Sequence, residues 1–198
     1  MKSVFILAGF DLHETATSAV FSQLRKGLTV KDYHVVPVDI NWQRKNPSQY
    51  VKEFEAFYSK HKTRENIIIG NSFGAVVALL AAPKLNPDTI YLCSLSPYFK
   101  EDKAGRSDST GIRYFGKRRL EDLWSYSADE EAEKLNETNI KVFVLYGEKE
   151  HQTSPLLVTR CKDVSSKVKG STLLEIKNAP HDMSNKIYSA AIIDLLRP

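Results

Sequence analysis

Sulfur is scarce in this chain: of 198 residues, two are cysteine and two are methionine. Cys93 and Cys161 fall in a predicted strand and a predicted helix. They read as two buried thiols, not as a disulfide framework. No cysteine and histidine residues share the spacing of metal ligands, so neither a metal nor any other cofactor is expected. A dominant charge is missing too. The net charge is only +4, carried by scattered lysines and arginines. With no basic arm or stripe to follow a phosphate backbone, nucleic acid is not expected as a partner. No apolar run approaches the ~20 residues of a membrane span. The apolar run at residues 4–8 is short and lacks a small-residue cleavage site. It suits a first strand better than a signal peptide, and a cytoplasmic protein is expected. Repeats and low-complexity tracts are also absent.

What is present is an ordinary globular composition, 42% hydrophobic and 26% charged. The length suits one domain spanning residues 1–198, large enough to bury roughly 70% of the unfolded chain's surface. Strand and helix patterns alternate along it. Residues 4–8 form the first strand. Residues 15–24, with Ala16, Ala19, Val20, Phe21 and Leu24 at helical spacing, form a helix. Residues 33–40 form a strand containing Pro37, which cannot donate to a ladder and so belongs at a sheet edge. Asn46, Pro47 and Gln49 open the next helix as N-cap, first-turn proline and capping-box partner. Its buried face is Tyr50, Val51, Phe54, Phe57 and Tyr58. A strand at 67–69 leads into a helix that is apolar all round and ends near Pro83. Another strand covers 89–95.

After Pro97 the alternation breaks. Residues 97–138 are an insertion after the fourth strand, with helix around 118–126 and 129–135. Alternation returns with a strand at 140–146, a helix at 155–168, a strand at Thr172–Ile176 and a last helix at 186–196. Glu175 and Lys177 flank Ile176, as on a second edge strand guarded by charge. The β-α order predicts a three-layer α/β/α fold around a mostly parallel sheet.

Gly70-Asn71-Ser72-Phe73-Gly74 sits where the 67–69 strand hands over to the apolar helix. This G-x-S-x-G pattern displays a serine hydroxyl above a strand end. Serine is a weak nucleophile, so it needs a base within hydrogen-bond reach and a partner to orient that base. There are five histidines. His34 lies inside a strand, and His61 ends a helix among lysines. His151 adjoins a candidate acid. His13 follows the first strand and is placed to line a crevice. His181, directly after the last strand, is the candidate base, because strand ends of an α/β sheet share one crevice. The acid should also follow a strand, and Gly147-Glu148-Lys149-Glu150 does so; by position alone either glutamate qualifies.

These motifs together resemble the α/β-hydrolase family over nearly the whole chain. Gly70–Gly74 is similar to its nucleophile elbow. Gly147-Glu148-Lys149-Glu150 is similar to its G-x-x-D acid turn, which selects Glu150. Ala179-Pro180-His181 is similar to its terminal histidine turn, and the order serine, acid, histidine is the family's. Glu replaces the more usual Asp, and Ala8-Gly9-Phe10 stands where many members have His-Gly-x. The resemblance implies a minimal fold with six strands in the order 2-1-3-4-5-6. It implies catalytic Ser72, His181 and Glu150, and an oxyanion hole from the backbone N–H groups of Phe10 and Phe73. The insertion either caps an acyl pocket lined in part by Tyr98, Phe99, Tyr114, Phe115 and Trp124, with His13 at the crevice, or is a surface excursion whose aromatics pack on the sheet. The run Lys117-Arg118-Arg119 reads as a solvated helix start. The expected activity is hydrolysis of an ester or thioester of a small acyl substrate without metal or cofactor. A binding protein of the same fold and an acyltransferase with the same triad are the competing readings. The oligomeric state is not readable.

Overall fold

The structure, a computed structural model, describes residues 2–10, 21–39, 45–105 and 115–196. Six parallel strands make one sheet: β1 (Lys2–Leu7), β2 (Tyr33–Val38), β3 (Glu65–Asn71), β4 (Thr89–Cys93), β5 (Lys141–Gly147) and β6 (Thr172–Ile176), in the order β2-β1-β3-β4-β5-β6. That is the order expected from the sequence. Pro37 does lie on an edge strand, and β6 forms the opposite edge with its polar positions exposed.

Side chains alternate across a strand, so each strand feeds two cores. Phe5 and Leu7 of β1 and Ile68 of β3 point to one face. There they meet α2 (Pro47–His61), α3 (Phe73–Leu85), α4 (Lys117–Leu123), α5 (Ala128–Lys134) and α7 (Pro155–Lys167). Val4, Ile6, Ile67 and Ile69 point to the other face, against α1 (Ser22–Val30) and α8 (Lys186–Leu195). The short helix α6 (Glu150–Thr153) follows β5 directly. Each fully buried Ile, Leu or Phe in these layers contributes about 2 kcal/mol by removal from water.

α3 is buried nearly all round, which is why its sequence shows no polar stripe. It continues through Pro83 to Leu85 and closes on Asn86, whose φ is +48° and whose N–H donates to the Ala82 carbonyl at 2.9 Å. α2 begins as its sequence requires, with the Gln49 side chain accepting from the Asn46 N–H at 2.8 Å.

The first helix corrects the sequence expectation. It occupies Ser22–Val30, later than 15–24, and its buried residues are Leu24 and Leu28; residues 15–20 lie outside the described residues. In the β4–β5 connection a 3-10 turn covers Lys100–Gly105, followed by α4, α5 and a second 3-10 turn at Leu135–Glu137. Among the described residues no helix is long and apolar enough to cross a membrane.

Candidate active site

The β3-to-α3 turn holds Ser72 in a backbone conformation that serine seldom adopts, φ +53° and ψ −110°. Such strain persists only where the surroundings impose it. Here they do so through close backbone approach. The Ser72 N–H donates to the Cys93 carbonyl at 2.8 Å. A Cβ on Gly74 would lie 2.4 Å from the Leu7 carbonyl oxygen, too close for any side chain. The serine is therefore lifted above the sheet at the first turn of a helix.

His181 meets it from the loop after β6. Its Nε2 lies 3.0 Å from Ser72 Oγ, and its Nδ1 is hydrogen-bonded to Glu150 Oε1. Glu150 is fully buried, so its charge requires several donors. Its Oε2 accepts from the Gly147 N–H at 2.6 Å and from Ser94 Oγ at 3.0 Å. The acid turn and the base turn are stitched to each other by the backbone. Glu148 N–H donates to the Ile176 carbonyl at 2.9 Å, and Lys149 N–H to the Ala179 carbonyl at 3.0 Å. Geometry thus separates the two glutamates. Glu148 turns away and accepts from the Asn178 N–H at 2.7 Å, on the surface. Asp182, next to the histidine, caps its own turn through Ser184.

The other described histidines bond elsewhere. His34 Nδ1 faces the Ser3 hydroxyl at 3.2 Å, His61 bonds the Phe57 carbonyl, and His151 pairs with Glu175 at 2.6 Å on the surface. Cys93 and Cys161 are free and buried, and burial pushes both thiols well above their ordinary range. Among the described residues no group of three acidic, histidine or cysteine side chains is arranged to hold a metal ion.

Above Ser72 opens a cavity of about 330 Å³. Phe10, Phe73, Tyr98 and Phe115 form its aromatic wall, Pro97, Pro155, Leu156 and Leu157 its aliphatic one, and Ser72, Ser96, Thr153, Ser154 and His181 its polar positions. Phe115 is the hub of the aromatics, its ring centroid 4.7 Å from Phe10, 5.1 Å from Phe73 and 4.5 Å from Tyr98. Arg119 fixes that hub. It donates to the Phe115 carbonyl at 3.0 Å and to the Lys45 carbonyl at 2.9 Å, with its guanidinium 5.7 Å from the Phe10 ring centroid. It is therefore a structural clamp, while Lys117 and Arg118 are exposed.

Two expected lining residues are elsewhere. Phe99 is buried in the core, and Trp124 packs against that core beneath the Lys103 ammonium. Phe99 leads into the 3-10 turn, where its N–H donates to Asp102 Oδ2 at 2.9 Å, and Trp124 closes the C-terminal end of α4, which packs on α2. His13 and Tyr114 lie outside the described residues. Ser94, Ser96 and Tyr188 are in the site although no motif singled them out. Ser94 follows β4 at φ +51°, which turns its hydroxyl onto Glu150; Tyr188 Oη lies 2.9 Å from the same hydroxyl and donates to the Leu145 carbonyl at 3.1 Å. Ser96 Oγ lies 2.9 Å from Ser72 Oγ. The position of Ser94 and Ser96 just past the central strand β4, at the crevice end, was the available signal.

No protein-family model matches the chain, and no curated protein matches it in sequence. Solved structures do match it in fold. Est1E from Butyrivibrio proteoclasticus aligns with a TM-score of 0.76 at 13% identity, over 98% of this chain and 86% of its own. MGS-MChE2, an α/β hydrolase enzyme from the metagenome of lagoon sediments at Mar Chica, Morocco, aligns with a TM-score of 0.70 at 16% identity, over 98% and 88%. A bromoperoxidase from Bacillus anthracis aligns with a TM-score of 0.71 at 12% identity, over 100% and 92%. With six parallel strands in this order and a strained serine turn after β3, the chain has the α/β-hydrolase fold.

Proposed function

We propose that this chain is a serine hydrolase that cleaves esters or thioesters of small acyl groups through an acyl-enzyme on Ser72. The observation that carries the reading is the hydrogen-bond line from Ser72 through His181 to buried Glu150, at the floor of an aromatic-walled cavity. A hydrolase enzyme among the similar structures supports the class, although one fold hosts many chemistries.

In the proposed reaction Ser72 Oγ attacks the acyl carbonyl and gives its proton to His181 Nε2. Glu150 holds the imidazole by Nδ1 and balances its positive charge while the proton is there. Negative charge on the carbonyl oxygen is met by backbone N–H groups of Phe73 and Phe10. Phe73 is the first residue of α3, where the helix dipole favours an anion, and Phe10 follows β1 on the neighbouring strand. His181 then protonates the leaving alcohol or thiol. Water, activated by the same histidine, releases the acid and restores Ser72.

The aromatic walls and modest volume favour a compact, apolar acyl group. A panel of p-nitrophenyl esters and acyl-CoA thioesters of increasing chain length tests this. Turnover is expected for short or compact acyl groups and should vanish in Ser72→Ala with the circular-dichroism spectrum unchanged. Turnover that persists in Ser72→Ala would refute the reading.

A further inference from the structure

Ser96 is the one side chain among the described residues, besides His181, that the structure places in hydrogen-bond contact with the Ser72 hydroxyl. Its Oγ is 2.9 Å from Ser72 Oγ, against 3.0 Å for His181 Nε2. It is 5% exposed, it lines the cavity, and its backbone N–H is directed at the Ser72 carbonyl at 3.4 Å. It also occupies a definite flank. β1, which leads to Phe10, lies on one side of β3; β4, which leads to Ser96, lies on the other, toward the β5 and β6 turns that supply Glu150 and His181.

Proton counting sets the direction of these bonds. In the arrangement the reaction requires, a neutral His181 donates from Nδ1 to the Glu150 carboxylate, which leaves Nε2 as an acceptor. Ser72 has one hydrogen, and in the reactive arrangement it points to Nε2. The hydrogen between the two serines must then come from Ser96, which donates to Ser72 Oγ. Acylation changes this. Ser72 Oγ becomes an ester oxygen with no hydrogen and little basicity, so Nε2 and the Ser96 hydroxyl both lose their partner, on the same flank of the acyl group. A water between them can donate one hydrogen to each and present a lone pair to the acyl carbon.

We infer that Ser96 is a catalytic residue of deacylation, holding the hydrolytic water together with His181. This rests on the acyl-enzyme reading above. In the step, the water oxygen bonds to the acyl carbon and one water proton passes to His181 Nε2. The tetrahedral intermediate then expels Ser72 Oγ, which takes that proton back, and the carboxylic acid leaves with the other. Ser96 accepts a hydrogen bond throughout and transfers no proton. Acylation needs no such water, so the two half-reactions should respond differently to its loss.

Stopped-flow hydrolysis of p-nitrophenyl acetate by wild type, Ser96→Ala and Ser96→Thr separates them. Ser96→Ala is expected to release the first equivalent of p-nitrophenol at close to the wild-type rate. It should then turn over about tenfold more slowly, the size of one hydrogen bond made in the transition state, with an acetyl adduct on Ser72 visible by intact-protein mass spectrometry. Ser96→Thr keeps the hydroxyl and should recover most of the steady-state rate. Equal slowing of both phases in Ser96→Ala, no slowing of either, or a threonine variant as slow as the alanine one would overturn the role of Ser96. A wild-type protein that never acquires the adduct, even with hydroxylamine-free quenching, would instead refute the acyl-enzyme reading and the inference with it.

Discussion

Glu150 and Glu148 are two residues apart and chemically identical, yet the fold gives them different work. Glu150 is the first residue of α6 and is drawn under the sheet end by Gly147, Ser94 and His181. Glu148 stays at the surface on Asn178. If the buried carboxylate orients His181, Glu150→Gln should lower kcat by at least about 100-fold, as loss of the orienting acid does in serine hydrolases generally. Glu148→Gln should leave turnover close to wild type. Ester hydrolysis by the two variants side by side checks this, and comparable losses in both would remove Glu150 from its special place. The two glutamates were not separable by position in the sequence. The family resemblance chose between them, and burial gives the physical reason for the choice.

At the scale of elements, the elbow depends on how closely α3 can approach β1. Gly74 faces the Leu7 and Ala8 carbonyl oxygens, 2.4 and 2.5 Å from where a Cβ would sit, and backbone atoms cannot swing aside as side-chain ends can. Gly74→Ala should therefore force α3 from the sheet and cost roughly 2–3 kcal/mol by overpacking. Chemical denaturation measures the stability loss, and ester turnover should fall with it because Ser72 shifts. A variant as stable and active as wild type would show that the elbow tolerates a wider turn. Other elements were harder to read. α1 has no side-chain N-cap and no acidic residue in its first turn, so nothing in the sequence marks its start. Phe21 and Leu24 suit either the 15–24 or the Ser22–Val30 frame. Gly27, unfavourable inside a helix by propensity, is accommodated because a Cβ there would lie 2.3 Å from Ile193 Cδ1 of α8. Tertiary packing set that helix, and packing between distant elements is not written in local periodicity.

For the molecule as a whole, the strand order followed from the family resemblance, and both edges carry marks that agree with it: Pro37 on β2, and Glu175 beside Ile176 on β6. Ser72, His181 and Glu150 were legible because each follows a strand at the same end of one sheet. Ser94 and Ser96 were not, since Ser94 reaches Glu150 only through a positive φ that no serine propensity announces. The same structure predicts a pH dependence of stability. Burial raises the Glu101 carboxyl, but the Ser127 hydroxyl and the N–H groups at the start of α5 outweigh it and hold the group below its ordinary value. Glu175 is held low by His151 first and by Tyr146 next. Both groups therefore bind protons less readily folded than unfolded. Their stabilisation is present above the ordinary glutamate range and is lost as pH falls through the lower folded values. The thermal midpoint should drop on acidification below about pH 4.5, and drop less steeply in Glu101→Gln/Glu175→Gln. A double variant with the wild-type slope would contradict this assignment.

Everything proposed for this site depends on Ser72 being a nucleophile activated by His181. That role is tested most directly by treating the folded protein with a fluorophosphonate probe and locating the adduct by peptide mass spectrometry. A single adduct on Ser72 is expected, absent after heat denaturation and in Ser72→Ala, and formed far more slowly in His181→Ala. A folded protein that takes no label at Ser72, or takes it at the same rate without His181, would contradict it.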